Sequence, residues 1–119
     1  MTTSAGVLDL TVVKNQSLCR DANEQVFREL GGQHVGQAEF MCECADLSCG
    51  RRLTLALEEY EAVRRFPTRF LVSVGHVRRS SERIVEEYDR YSVVEKFGPD
   101  GIAAIKLDRR SRPFSETAA

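Results

Sequence analysis

The 119-residue chain has no apolar run long enough to span a bilayer. Its first residues also lack the form of a targeting segment, because the apolar run Val7 to Val13 is short, is broken by Asp9 and has no basic region before it. A cytoplasmic protein with no membrane association is therefore expected. HExxH, GxSxG, Walker A and GxGxxG motifs are all missing, so the usual sequence grounds for an enzyme are missing too. No catalytic residues are assigned, and a non-enzymatic protein is expected. Internal repeats and low-complexity segments are likewise absent.

What is present is ordinary in bulk. The chain is 42% hydrophobic and 29% charged, which fits one soluble domain with room for a single modest core. The net charge of −1 conceals a tilt. Residues 1–50 hold 3 Lys/Arg against 7 Asp/Glu, residues 51–83 hold 8 against 4, and residues 84–119 hold 6 against 7. Such an asymmetry can steer an acidic partner to the middle segment.

The elements read as an α+β domain with a short antiparallel sheet, two or three helices and a metal knuckle. Residues 1–14 are expected to be flexible or to form a short strand over Val7 to Val13, and residues 15–107 to form the domain. Residues 108–119 are expected to be a mobile tail. Leu18, Ala22, Val26 and Leu30 recur every fourth residue and predict a helix over 18–30, ended by Gly31-Gly32. A strand is expected at Ala38 to Cys42, and a second at Leu53, Leu55 and Leu57. This second strand runs into a helix over Ala56 to Phe66, capped by Thr54, with Tyr60 and Val63 inward and Arg64 and Arg65 outward. Arg69 to His76 reads as a strand whose alternation places Phe70, Val72, Val74 and His76 on one face. Glu82 to Tyr91 suits a helix, with a strand as the alternative. A hairpin is expected over Tyr91 to Leu107, with Gly98-Pro99-Asp100-Gly101 as its turn.

The conspicuous feature is Cys42-Glu43-Cys44-Ala45-Asp46-Leu47-Ser48-Cys49, three of the chain's 4 cysteines in CxCx4C spacing. In a reducing compartment, clustered cysteines point to metal or redox chemistry more than to structural disulfides. Zinc wants four tetrahedral ligands and prefers thiolate and imidazole. Cys42, Cys44 and Cys49 supply three, and His76, at the end of an inward-facing row, is the chosen fourth. His34 and Cys19 are its rivals. With Cys19, four thiolates could hold an iron–sulfur centre, but the spacing matches none of the common ferredoxin runs. Without a metal the cysteines could act as a redox set, but no CxxC is present. Structural zinc is the favoured reading.

Several stretches together resemble a family of small uncharacterised bacterial proteins that carry a CxCx4C knuckle and a downstream Gly-His. They are Arg20-Asp21-Ala22-Asn23-Glu24-Gln25-Val26-Phe27-Arg28-Glu29, the Cys42 to Cys49 knuckle, Leu57-Glu58-Glu59-Tyr60-Glu61-Ala62-Val63-Arg64 and Val74-Gly75-His76. The likeness covers roughly residues 20–97 and implies a metal site at the cysteines and the Gly-His pair, with no activity attached. Where that family often carries Pro before Gly-His, this chain has Val74. The eight-residue knuckle is also similar to the post-SET zinc knuckle, which implies shared coordination and no methyltransferase activity.

Three functions follow. The first is a zinc-stabilised module that binds a protein partner, in a regulatory role. The second is nucleic-acid binding through Arg51, Arg52, Arg64, Arg65, Arg69, Arg78, Arg79 and Arg83, since arginine is a good phosphate partner. The third is a thiol- or zinc-based redox sensor.

Overall fold

The computed structural model describes residues 10–31, 36–46 and 48–111. Its elements are helix α1 (Leu10–Gly31), strands β1 (Gln37–Met41) and β2 (Arg52–Ala56), helix α2 (Leu57–Arg64), strands β3 (Arg69–Val72), β4 (Glu82–Glu87) and β5 (Ser92–Lys96), helix α3 (Gly98–Leu107) and a 3-10 turn at Arg109–Ser111. The class is α+β, as the sequence indicates. Strands β1 and β2 form one antiparallel pair, and β3, β5 and β4 form a second antiparallel sheet with β5 in the centre.

Alternation places Phe40, Leu53 and Leu55 in the core from the first sheet, whereas the second sheet buries consecutive residues, Phe70, Leu71 and Val72 in β3 and Val93 and Val94 in β5. Tyr60 of α2 lies under the first sheet with its ring stacked on Phe40, 4.3 Å between centroids. Helix α2 begins without a Thr54 cap. Its N-cap is Ala56, and the Glu59 carboxylate reaches back to accept from the Ala56 N–H at 2.8 Å.

Helix α1 departs most from expectation. It starts at Leu10 where a strand was expected, while residues 7–9 lie outside the described part. Its buried stripe is Val13, Gln16, Ser17, Arg20, Asn23 and Glu24, whereas Leu18 is 64% exposed. This stripe keeps helical i, i+3, i+4 spacing but is mostly polar, because Gln16, Arg20, Asn23 and Glu24 each reach a partner on another element. Arg20 donates to the Pro67 and Ala104 carbonyls at 2.7 and 3.0 Å and lies over the Phe70 ring. Gln16 donates to Glu82, whose carboxylate also accepts from Lys96 in a fully buried pair.

Three further expectations are corrected. Glu82 to Glu87 is a strand, and Ile84 and Glu86 face successive β5 partners, so Val85 is the extra residue of a bulge. Gly98 to Leu107 is a helix, because β5 finds its partners in β3 and β4 and leaves nothing for a hairpin strand to pair with. Pro99 suits a helix's first turn as well as it suits a turn. Finally, Asp108 is buried against Arg64, whose guanidinium also donates to Glu24 at 3.0 Å, and Arg110 extends the network to Glu24 and Glu61. The stretch 108–111 is therefore held to the body of the domain, whereas 112–119 lie outside the described residues. Arg64, expected outward, has a side chain only 1% exposed.

Candidate metal centre

Backbone and side-chain bonds away from the cysteines' sulfurs tie the knuckle to both sheets and to α1. The Asn23 side-chain amide pairs with both polar groups of Met41, accepting from its N–H at 2.7 Å and donating to its carbonyl at 2.8 Å. It thereby closes the end of β1 as a neighbouring strand would. The Cys42 N–H donates to the Arg51 carbonyl, and the Glu43 N–H to the Leu71 carbonyl. The second of these bonds carries the chain from the first sheet to the second.

Glu43, between two of the cysteines, turns its side chain into the core. Its carboxylate accepts from Asn23 Nδ2 at 2.7 Å, from the Tyr60 hydroxyl at 2.8 Å and from the Leu71 N–H at 2.9 Å. Burial pushes this carboxyl above its usual range, against the pull of those donors. Burial likewise raises the Tyr60 phenol, and the Glu43 charge adds to it. With Glu43 pointing inward, the flanking Cys42 and Cys44 are free to project together toward the other face.

The return to Cys49 is a compact turn. Asp46 accepts from the Ser48 N–H and hydroxyl at 2.9 and 2.8 Å, which hold its carboxyl low, and the Cys49 N–H donates to the Asp46 carbonyl. His76 arrives from a turn rather than from a strand. Strand β3 ends at Val72, and the His76 N–H donates to the Ser73 carbonyl at 2.9 Å across Val74 and Gly75. Gly75 has φ +86°, and a side chain there would meet nothing within 4 Å, so glycine serves the backbone conformation and not a close approach. The expected common face is therefore broken: Val74 is 49% exposed, while His76 is turned toward the cysteines.

The sulfurs of Cys42, Cys44 and Cys49 and a ring nitrogen of His76 all lie within 4.8 Å of one another, a group that could hold a metal ion. His76 Nδ1 is 3.7 Å from Cys42 Sγ and 3.6 Å from Cys49 Sγ. A tetrahedral zinc with Zn–S of about 2.3 Å and Zn–N of about 2.0–2.1 Å requires S···N separations of about 3.6 Å. The residues present thus fit the group. Backbone N–H groups point at two of the sulfurs, Ser73 to Cys42 at 3.1 Å and Arg51 to Cys49 at 3.4 Å, as suits thiolates. Burial raises the Cys42 and Cys44 thiols, with the Ser73 hydrogen bonds opposing it at Cys42. A bound cation reverses that preference, since coordination removes the thiol proton.

Of the rivals for the fourth position, His34 lies outside the described residues. Cys19 stands apart from the converging group but lines a cleft beside it. Burial pushes its thiol up, and the charges of Glu43, Cys42 and Cys49 add to the effect.

The arginines do not form one surface. Arg64 is buried in ion pairs. Arg52 faces Glu39 at 3.9 Å, and Arg69 faces Glu95 and Glu86 and lies over the Phe66 ring. Arg83 faces Glu95. Arg51, Arg65 and Arg79 are exposed, and Arg78 is half-buried beside the Glu82 carboxylate, which accepts from its N–H. The residues that sequence reasoning passed over are Gln16, Asn23 and Glu43, while Tyr60 was expected inward but not as a donor to Glu43. The available signal was the helical spacing of the polar Gln16, Arg20 and Asn23 with Val13.

No protein-family model, no curated protein and no solved structure matches the chain.

Proposed function

We propose that the chain is a small non-enzymatic zinc-binding module in which Cys42, Cys44, Cys49 and His76 hold one structural Zn2+, and that it serves a protein partner in a regulatory role. The observation that carries the metal reading is the pair of S···N separations, 3.7 and 3.6 Å, at the value a tetrahedral Cys3His zinc needs. Three thiolates and an imidazole fill the shell and leave no position for water or substrate, which favours structure over catalysis. The resemblance to the bacterial CxCx4C and Gly-His proteins points the same way. A cytoplasmic setting suits four unpaired cysteines. Among the described residues no helix is long and apolar enough to cross a membrane.

A protein partner is favoured over nucleic acid because four of the arginines in the basic segment face carboxylates of the chain itself, as described above. Exposed apolar side chains such as Leu10, Ile102 and Ile105 are also the kind of surface that proteins contact. A gel shift across a salt series tests the nucleic-acid alternative, which no retardation at low salt would remove.

The deciding experiment is metal analysis. Protein purified without added metal is expected to carry stoichiometric zinc, and Cys42→Ser and His76→Ala to lose most of it together with part of the thermal stability. Metal-free wild type with an unchanged melting temperature in both variants would overturn the reading.

A further inference from the structure

Gln16 of α1 is a fully buried side chain whose amide is only half used. Its NH2 group donates twice, to the Glu43 carbonyl at 3.0 Å and to Glu82 Oε2 at 2.9 Å, while its own oxygen meets no partner. Both neighbours are acceptors, so the nitrogen has to face them, and one NH2 carries the two donors required. Charge balance does not call for the residue, since Lys96 already pairs with Glu82 at 2.8 Å. The bare oxygen is a cost that the two donated bonds must outweigh.

What those bonds join gives them a role. Glu43 is the residue between Cys42 and Cys44. Glu82 accepts through its other oxygen from the Arg78 N–H at 2.8 Å, and Arg78 lies two residues after His76. Before His76, the Ser73 N–H donates to Cys42 Sγ at 3.1 Å, and the Ser73 carbonyl accepts from the His76 N–H at 2.9 Å. The segment that carries His76 is thus pinned at both ends, in front to a cysteine sulfur and behind to Glu82. Gln16 hydrogen-bonds both the knuckle and the carboxylate that holds the rear of this segment. We propose, resting on the zinc reading above, that Gln16 is a positioning residue of the metal centre, which sets the His76 segment against the cysteine knuckle and so fits the fourth ligand to the zinc. It touches no metal and acts through Glu43 and Glu82. Partners outside the shell that orient metal ligands are worth about 10–100-fold in metal affinity. The effect has a direction: without Gln16 the histidine loosens, while the knuckle keeps its own ties to Asn23, Arg51 and Leu71.

The test measures zinc affinity of the full chain by competition with a chromogenic chelator, for wild type, Gln16→Met, His76→Ala and the double variant. Methionine keeps the length of the side chain, lacks the donors and leaves the Glu82–Lys96 pair in place. Gln16→Met is expected to bind zinc about tenfold more weakly or worse. In the His76→Ala background the same substitution is expected to change nothing, because the ligand it positions is gone. With cobalt in place of zinc, the visible absorption of Gln16→Met should move toward that of His76→Ala. Gln16→Leu repeats the cycle should methionine perturb folding. Wild-type affinity in Gln16→Met overturns the proposal. So does an equal loss with and without His76, which marks a structural role alone, and so does failure of both Gln16 variants to fold. A wild type that binds no zinc removes the zinc reading and this proposal together, whereas a zinc-binding wild type beside a neutral Gln16→Met removes only the proposal.

Discussion

Glu43 shows how a single side chain can decide where its neighbours point. Its three donors come from α1, α2 and β3, so the carboxylate fixes the knuckle against three elements at once. Replacing it by glutamine keeps the volume but turns an NH2 toward a donor in a buried site, and an unsatisfied buried group costs about 1–3 kcal/mol. Glu43→Gln is therefore expected to lower the unfolding free energy measured in urea by that amount and to weaken zinc retention. A variant equal to wild type in both would mean that the carboxylate does not position the cysteines. Gly75 makes a different kind of claim, because its cost is conformational alone. With φ +86° and open space around it, Gly75→Ala should lose about 1–2 kcal/mol in urea unfolding. Gly75→Asn, which tolerates the left-handed region better, should lose less. Equal losses from the two would refute the conformational account.

At the scale of elements, α3 gives the sharpest test because propensity and packing disagree there. Gly101 sits inside a helix, where alanine is ordinarily better by about 1 kcal/mol. Yet a Cβ at this position would lie 2.9 Å from the backbone carbonyl oxygen of Lys96, which cannot move without disturbing the end of β5. Gly101→Ala should accordingly destabilise the protein, and thermal melting that rises instead would show the helix free to shift. The same element marks the limit of what the sequence could tell. Strands β1 and β2 are legible because Phe40, Leu53 and Leu55 announce their buried faces by alternation, and β3 through its β-branched and aromatic content, while β5 is legible only as one arm of an expected hairpin. Helix α2 is legible through Tyr60 and Val63. Gly98-Pro99-Asp100-Gly101 is compatible with both a turn and a helix start, and only the pairing of β5 on both edges decides between them. Strand β4 was ambiguous because the bulge at Val85 breaks its alternation. The face of α1 was misread because its buried residues are polar, and hydrophobic periodicity does not register Gln16, Arg20 or Asn23. The three cysteines were legible from their spacing. The meeting with His76 depends on a turn at Gly75, which the reading of an uninterrupted strand did not contain.

At the scale of the whole molecule, buried charge does the joining that a modest apolar core leaves undone. Arg64 links α1 through Glu24 to the segment after α3 through Asp108, and each of these side chains is at most 6% exposed. Removing one partner of such a network leaves the others charged and dry, which costs about 3–5 kcal/mol. Arg64→Ala should therefore be among the most damaging single changes, and Arg64→Met, which refills the volume, should not restore it, because Glu24 and Asp108 would both lose the guanidinium they share. The network also has a signature in pH. Burial works to raise the Asp108 carboxyl, but the Arg64 hydrogen bond and charge prevail and hold it below its usual range. A carboxyl whose folded value is depressed binds fewer protons in the folded than in the unfolded chain. Its contribution is thus complete above the ordinary aspartate value of about 3.9 and is lost as pH falls through the lower folded value. Urea midpoints measured downward from about pH 5 should fall more steeply for wild type than for Asp108→Asn. The variant starts lower, having surrendered the ionic part of the pair already, and it has no proton to gain at that position. Parallel slopes for the two proteins would place the acid sensitivity elsewhere and remove Asp108 from its cause.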